Sequence, residues 1–201
     1  MKPYYDEDGI TIYHGDCRDV LPSLGRFDLL LTDPPYGLGI AANPVRQAHA
    51  RSSWDDAPVS RETLSLCIDA ADKQVIWGGN YFGLPASKSF FVWDKCQPEG
   101  LTLAMCEQAW SNINRPAKMF RLSVTSYKKE HPTQKPEELM AWCIGQCDPV
   151  RTVFDPFMGS GTTLVAAKRL GKIAVGIERE EKYCEIAAKR LAQRALPLEV
   201  A

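Results

Sequence analysis

Apolar residues come along the chain in short runs, each closed by Gly, Pro, Asp or Asn, with helically spaced stretches between them. Ile10-Thr11-Ile12-Tyr13 reads as a strand ending at His14-Gly15-Asp16-Cys17, and a short helix or turn follows from Arg18 to Leu24. Phe27 to Thr32 reads as a buried strand that delivers Asp33-Pro34-Pro35-Tyr36. Ser60 to Ala71 places Leu64, Cys67, Ile68 and Ala71 at helical spacing. Val75-Ile76-Trp77, Ser89 to Trp93 and Glu107 to Trp110 follow as strands, the first broken by Gly78-Gly79. The pattern then predicts a helix over Pro136 to Cys147, a strand over Val150 to Phe154, a helix over Thr162 to Leu170 and a strand over Ile173 to Ile177. A last helix is expected from Glu180 to Leu196, with acids first and Arg190 and Arg194 late, as the helix dipole favours. Strands alternating with helices argue an α/β domain with a mostly parallel sheet. Residues 37–58 show no period and read as one long loop.

Composition narrows this picture. The 201 residues, 45% hydrophobic, suit a single domain over 1–201 with a sizeable core. No run approaches the roughly 18 apolar residues of a membrane span. The N-terminal residues lack an apolar signal region, so a cytoplasmic protein is expected. The seven cysteines are an odd number without a framework, which reads as free thiols in a reducing compartment. There is no Cys-x-x-Cys, and His14, His49 and His131 lack ligand spacing, so no metal site is expected. Cys143 and Cys147 read as small core residues on one helix face.

The net charge of -1 is uninformative, but its distribution is not. No acid falls between Glu107 and Glu130, where Arg115, Lys118, Arg121, Lys128 and Lys129 all lie. Another acid-free stretch, from Gly37 to Trp54, carries Arg46 and Arg51. Such segments are either solvated faces or loops that contact phosphates.

Two motifs carry chemistry. Pro34 and Pro35 forbid helix and further sheet pairing, so Asp33-Pro34-Pro35-Tyr36 is a stiff corner at a strand end. It offers a carboxylate, carbonyl oxygens and an aromatic face, which suits a flat ring bearing an amino group. By itself it also reads as an ordinary turn. The second motif is strand, Asp155-Pro156-Phe157-Met158-Gly159-Ser160-Gly161, helix, strand, Glu178. Glycines there let a ligand approach the backbone, the helix N-terminus offers N–H groups, and Glu178 is placed to take ribose hydroxyls. The Gly-Lys-Ser/Thr ending of a P-loop is missing, and so is the third glycine of a dinucleotide fingerprint. A nucleoside ligand without pyrophosphate, such as S-adenosylmethionine, fits better.

Taken in order, Asp33-Pro34-Pro35-Tyr36, His131-Pro132-Thr133-Gln134-Lys135-Pro136 and Asp155-Pro156-Phe157-Met158-Gly159-Ser160-Gly161-Thr162 resemble the amino-group DNA methyltransferases of the beta arrangement, in which the catalytic motif precedes the cofactor motif. Gly15-Asp16-Cys17, Trp77-Gly78-Gly79-Asn80-Tyr81-Phe82 and Trp93-Asp94-Lys95 extend the resemblance over about Tyr13 to Leu191. It implies a Rossmann-like methyltransferase fold of about seven strands, helices on both faces, in circularly permuted motif order. It also implies transfer of a methyl group from S-adenosylmethionine to the exocyclic amino nitrogen of a flipped-out base, in a site-specific, restriction-modification setting. In such enzymes Asp at the first corner position more often accompanies adenine N6, and Ser cytosine N4, which favours adenine here.

By the same resemblance, Asp33, Pro34, Pro35 and Tyr36 form the catalytic corner. Asp16 and Cys17 sit by the cofactor's adenine, Thr133 and Lys135 near its carboxylate, and Phe157, Gly159, Gly161 and Thr162 along its methionine part. Asp33, Asp155 and Ser160 complete the expected cofactor set, with Glu178 on the ribose. DNA contacts are expected from Arg46, Arg51, Arg115, Lys118, Arg121, Lys128 and Lys129, with 37–58 and 98–129 as candidate recognition segments. Family members often dimerise and belong to bacteria and their phages. A catalytically inactive DNA-binding regulator, and an RNA or protein methyltransferase with an Asn-Pro-Pro-Tyr corner, are the alternatives.

Overall fold

The computed structural model describes residues 1–37, 57–100, 104–127 and 134–193. Its centre is one nine-stranded sheet. The strands in chain order are β1 (Tyr5–Glu7), β2 (Ile10–His14), β3 (Phe27–Thr32), β4 (Ala71–Trp77), β5 (Ser89–Asp94), β6 (Cys106–Ser111), β7 (Lys118–Arg121), β8 (Thr152–Asp155) and β9 (Ile173–Glu178). Across the sheet they run β1-β2-β9-β8-β3-β4-β6-β5-β7. β2, β9, β8, β3 and β4 are parallel neighbours, while β6 runs antiparallel to both β4 and β5. The helices are α1 (Cys17–Val20), α2 (Arg61–Asp69), α3 (Glu137–Gln146), α4 (Thr162–Arg169) and α5 (Glu181–Ala192).

Side-chain alternation along the central strands divides the core in two. Leu29, Leu31, Val75, Trp77 and Val153 face the layer that holds α3, α4 and α5. Leu30, Ile76 and Phe154 face the layer of α1 and α2. A strand buried on both faces must be apolar throughout, which is why Phe27 to Thr32 shows no polar alternation. Cys143 and Cys147 are buried in the first layer, as small core residues.

Three elements depart from the sequence pattern. The resemblance implies about seven strands; β1 and β7 at the two edges bring the sheet to nine. Both are short and mostly exposed, and an edge strand with one exposed face carries little apolar signal. β4 begins at Ala71, earlier than the apolar run, because its polar start is satisfied locally. Lys73 Nζ donates to the Cys147 and Pro149 carbonyls at 2.7 Å each, and Gln74 Nε2 donates to the Ala71 carbonyl at 2.7 Å. The stretch 98–129, read as a recognition insertion, contains β6 and β7 and so contributes to the sheet itself.

Chain order reverses between β3 and β8: the chain leaves β3 for β4 on one side and β8 for β9 on the other. Loops diverge above the carboxyl ends of such a pair and leave a crevice, the usual ligand site of an open α/β sheet. Asp33 follows β3 and Pro156 follows β8, so the two motifs flank that crevice although 123 residues separate Thr32 from Asp155.

Candidate active site

The two strand ends are tied directly, since the Thr32 hydroxyl donates to Asp155 Oδ1 at 2.8 Å. Asp155 is 3% exposed and also accepts from the Phe157 N–H at 3.2 Å. Burial pushes its pKa up to about 6, against the hydrogen bonds from Thr163, Thr32 and Phe157 that favour the anion. Asp155 therefore braces the turn from within as well as lining the cavity beside it.

That cavity has a volume of about 380 Å³. Asp16 and Cys17 reach it from the end of β2, Phe157, Gly159, Ser160 and Thr162 from the β8–α4 turn, and Glu178 from the end of β9. Asp33, Pro35 and Lys135 close the side toward the Asp33–Tyr36 corner. Gly161 does not face the cavity; its φ of +78° turns the chain into α4, and its missing Cβ would lie 2.7 Å from Ala187 Cβ. Glu178 accepts from the Gly159 N–H at 3.0 Å and the Glu180 N–H at 2.8 Å, one on each oxygen. With the Arg179 N–H as a third donor, the carboxylate's four or so acceptor sites still leave room for a hydroxyl donor. Burial raises the Glu178 pKa, and the N–H donors of Glu180, Gly159 and Arg179 oppose that. Asp16 is held by Arg18, whose Nε and Nη2 lie 2.9 and 2.7 Å from its two oxygens, and this contact brings its pKa down to about 2.

The Asp33–Tyr36 corner is more tightly wired than its sequence implies. The Tyr36 hydroxyl donates to Asp33 Oδ1. Lys135 Nζ lies 2.5 Å from Asp33 Oδ2 and 3.0 Å from Glu107 Oε2, and Lys95 Nζ lies 2.5 Å from Glu107 Oε1. The Lys135 side chain is 5% exposed, and its ammonium sits 5.5 Å from the Trp77 ring centroid. Burial works against the Lys135 charge, but the Asp33 and Glu107 carboxylates outweigh it and hold the pKa well above the ordinary range. Burial also works against the Glu107 carboxylate; Lys135 and Lys95 prevail and bring it down to about 2. Burial raises the Asp33 pKa, with the Lys135 ammonium pulling the other way.

The Tyr36 ring is fixed by shape. Gly78 lies so close that a Cβ there would come 2.2 Å from Tyr36 Cε1, and Tyr81 stacks on the ring with centroids 5.0 Å apart. Glycine at 78 is thus required both by contact and by its φ of +65°.

Glu107 is the residue of this ion-pair cluster that the sequence pattern misses. Its place in a strand run gives no sign that the β5–β6 hairpin passes beyond the carboxyl end of β4 (Trp77 pairs Ala109, while Trp93 pairs Glu107). The overhang carries Lys95 and Glu107 to Lys135. Ser60 and Thr63, at the start of α2, also line the cavity without a motif to mark them.

The basic residues separate. Arg121 ends β7 at the sheet edge where Asp33 lies, beside Asp94 at 3.2 Å, while Lys118 begins that strand at the far end. Arg115 donates to the Gln146 carbonyl at 2.9 Å and the Asp148 carbonyl at 3.4 Å, at the end of α3 that precedes β8. It caps carbonyls at the edge of the sheet opposite Asp33. Arg46, Arg51, Lys128, Lys129 and Thr133 lie outside the described residues. Among the described residues no His, Cys, Asp and Glu cluster could hold a metal ion, and no helix is long and apolar enough to cross a membrane.

Known proteins resemble this chain in sequence and in fold. A family model described as DNA methylase, of N6 and N4 methyltransferases, matches residues 76–189, more than half of the chain. The type II methyltransferase M.ScaI of Streptomyces caespitosus is 28% identical over 263 aligned positions, spanning 98% of this chain and 86% of that protein. M.HinfI of Haemophilus influenzae is 51% identical over 67 residues, 33% of this chain and 19% of that protein. Among solved structures, an M1.HpyAVI–SAM complex superposes with a TM-score of 0.63 at 23% identity, covering 91% of this chain and 99% of the other. The cytosine-N4-specific PvuII DNA methyltransferase gives a TM-score of 0.67 at 15% identity, covering 97% and 90%. At these identities the structures show a common fold. With the family model and M.ScaI added, the chain belongs to the N6/N4 DNA methylase family.

Proposed function

We propose that this DNA methyltransferase acts on adenine N6, with Asp33 as the residue that activates the amino group. The observation that carries the reading is the position of Asp33: a carboxylate at the crevice between β3 and β8, lining the same cavity as the glycine turn and Glu178. The cofactor is S-adenosylmethionine, which when bound supplies an electrophilic methyl group on a sulfonium. Its chemistry fits the cavity: Glu178 has acceptor capacity left for a ribose hydroxyl, and Gly159 lines the cavity just before the N-terminus of α4. Asp16 and Cys17 would hold the adenine end, and Phe157, Ser160 and Thr162 the methionine end. Lys135 is engaged with Asp33 and Glu107, so we assign it first to the catalytic corner.

The amino nitrogen of a base is a poor nucleophile because its lone pair is delocalised into the ring. Asp33 and the Pro34 carbonyl accept its two hydrogens and so localise charge on nitrogen as it attacks, an electrostatic effect that is strongest in the transition state. Tyr36 and Lys135 each leave the Asp33 oxygen they contact with acceptor capacity. Lys135 opposes protonation of Asp33 and so helps keep it an acceptor. Tyr36 supplies the stacking face, worth about 1–3 kcal/mol toward the few kcal/mol that flipping a base costs. The Asp33 carboxylate favours adenine over cytosine through the family resemblance. Pairing of two copies belongs to the same reading and is checked by light scattering.

The test is to incubate the protein with methyl-labelled S-adenosylmethionine and DNA of varied sequence, digest, and identify the labelled nucleoside by mass spectrometry. N6-methyladenosine is expected as its deoxynucleoside. Label on cytosine N4 would overturn the base assignment, and label in RNA or protein alone the substrate class.

A further inference from the structure

Among the described residues, the mechanism above leaves a part-buried cation on α5 unused. Arg190, on α5, has a side chain 12% exposed, and no part of it reaches the catalytic corner. Its Nη1 donates to the Ser160 carbonyl at 2.6 Å, with Ser160 Oγ at 3.1 Å and Thr162 Oγ1 at 3.3 Å. Its Nη2 donates to Glu137 Oε1 at 2.8 Å. Glu137 opens α3, two residues after Lys135, and its other oxygen takes Arg169 at 2.7 Å. One guanidinium therefore joins the glycine turn after β8 to the helix start that carries Lys135. Ser160 Oγ, 3.4 Å from Gln134 Oε1, makes a second and weaker link between the same two segments.

We propose that Arg190 is a positioning residue for the methionine end of the cofactor, fixing the Ser160–Thr162 turn and registering it against the Gln134–Lys135 segment through Glu137. The proposal rests on the cofactor reading above. One feature argues for more than a structural brace. The donors gather on Ser160 and Thr162, the cavity-lining residues next to the N-terminus of α4, so loosening them moves groups that face the ligand. Two guanidiniums also share the Glu137 carboxylate, so the start of α3 is tied to both α4 and α5. The adenosine end is anchored independently: Gly15 N–H donates to the Glu178 carbonyl at 2.9 Å, and Glu178 Oε1 is held by the Glu180 N–H, neither through Arg190.

The experiment compares S-adenosylhomocysteine with 5′-methylthioadenosine, which lacks the amino-acid portion, by calorimetric titration of the full chain and of Arg190→Met and Glu137→Gln. S-adenosylhomocysteine should bind Arg190→Met at least about tenfold more weakly, the scale of one lost charged hydrogen bond, while 5′-methylthioadenosine shifts by less than about twofold. Glu137→Gln should weaken the first ligand less, and the double variant no more than Arg190→Met, because Glu137 acts through Arg190. Equal weakening of both ligands, or no weakening of either, overturns the proposal. If Arg190→Met does not fold, Glu137→Gln and Arg190→Lys decide on the same ratio of the two affinities. Failure of the unmodified protein to bind S-adenosylhomocysteine would instead strike at the cofactor reading.

Discussion

Asp33 is held from two sides, by the Tyr36 hydroxyl and the Lys135 ammonium, and this sets its behaviour on substitution. Asp33→Ala should reduce methyl transfer by at least about a hundredfold, the scale of losing one transition-state hydrogen-bond group, with cofactor binding retained. Near-parental turnover in a labelled-methyl assay would sink the role. Tyr36→Phe keeps the stacking ring and loses only the hydroxyl, so it should retain more activity than Tyr36→Ala; the reverse order would count against stacking. Asp155 makes a prediction about pH. Its pKa in the fold, about 6, lies above the ordinary value of 3.8, so the folded state prefers the protonated form. The stability it contributes is full below about pH 4 and is lost as pH rises through about 6. Asp155→Asn keeps the acceptor for Thr32 and Phe157 and removes the charge. It should therefore unfold in urea at higher concentration than the parent at pH 8, by up to about 3 kcal/mol, with the advantage shrinking toward pH 4. A constant difference across that range would mean that Asp155 does not titrate there.

The β8–turn–α4–β9 unit is shaped by glycines that the neighbouring elements require. Gly161 turns the chain with a positive φ and lies against Ala187 of α5. Gly176, inside β9, lets Met158 and Leu164 come down onto the sheet, since a Cβ there would meet Met158 Sδ at 2.6 Å. Gly161→Ala adds left-handed strain of about 1 kcal/mol and overpacking of about 1–3 kcal/mol. The melting temperature should fall by about 5 °C or more, measured by circular dichroism. An unchanged melting temperature would show that α5 can move aside at little cost.

At the scale of the whole molecule, the sheet sorts the basic residues by its two edges. Arg121 and the catalytic corner share the carboxyl edge, whereas Arg115 caps the end of α3 at the opposite edge. Arg121→Ala should weaken DNA binding without sequence preference and reduce the slope of log affinity against log salt by about one. Arg115→Ala should leave the slope unchanged and cost stability, since it uncovers two carbonyls that the guanidinium now caps. Fluorescence anisotropy at several salt concentrations, with melting curves for both variants, distinguishes these outcomes.

Most of the chain's order of strands and helices, the mostly parallel sheet and the two motifs at strand ends were legible as sequence. Their signals are local: an apolar run, two prolines, glycines before a helix, an acid after a strand. Each arises within a few residues of backbone, where propensity and periodicity act. The edge strands β1 and β7 escaped because short, half-exposed segments bury too little to need an apolar pattern. Two further matters depended on tertiary structure. One is the partners of buried charges: nothing in the sequence around Glu107 or Arg190 foretells Lys135 or Ser160, since desolvation selects a partner by proximity in space. The other is which basic residues share an edge with Asp33. Thirteen residues separate Arg121 from Gln134, yet it is the direction of β7 in the sheet, and not that spacing, that puts Arg121 on the catalytic side.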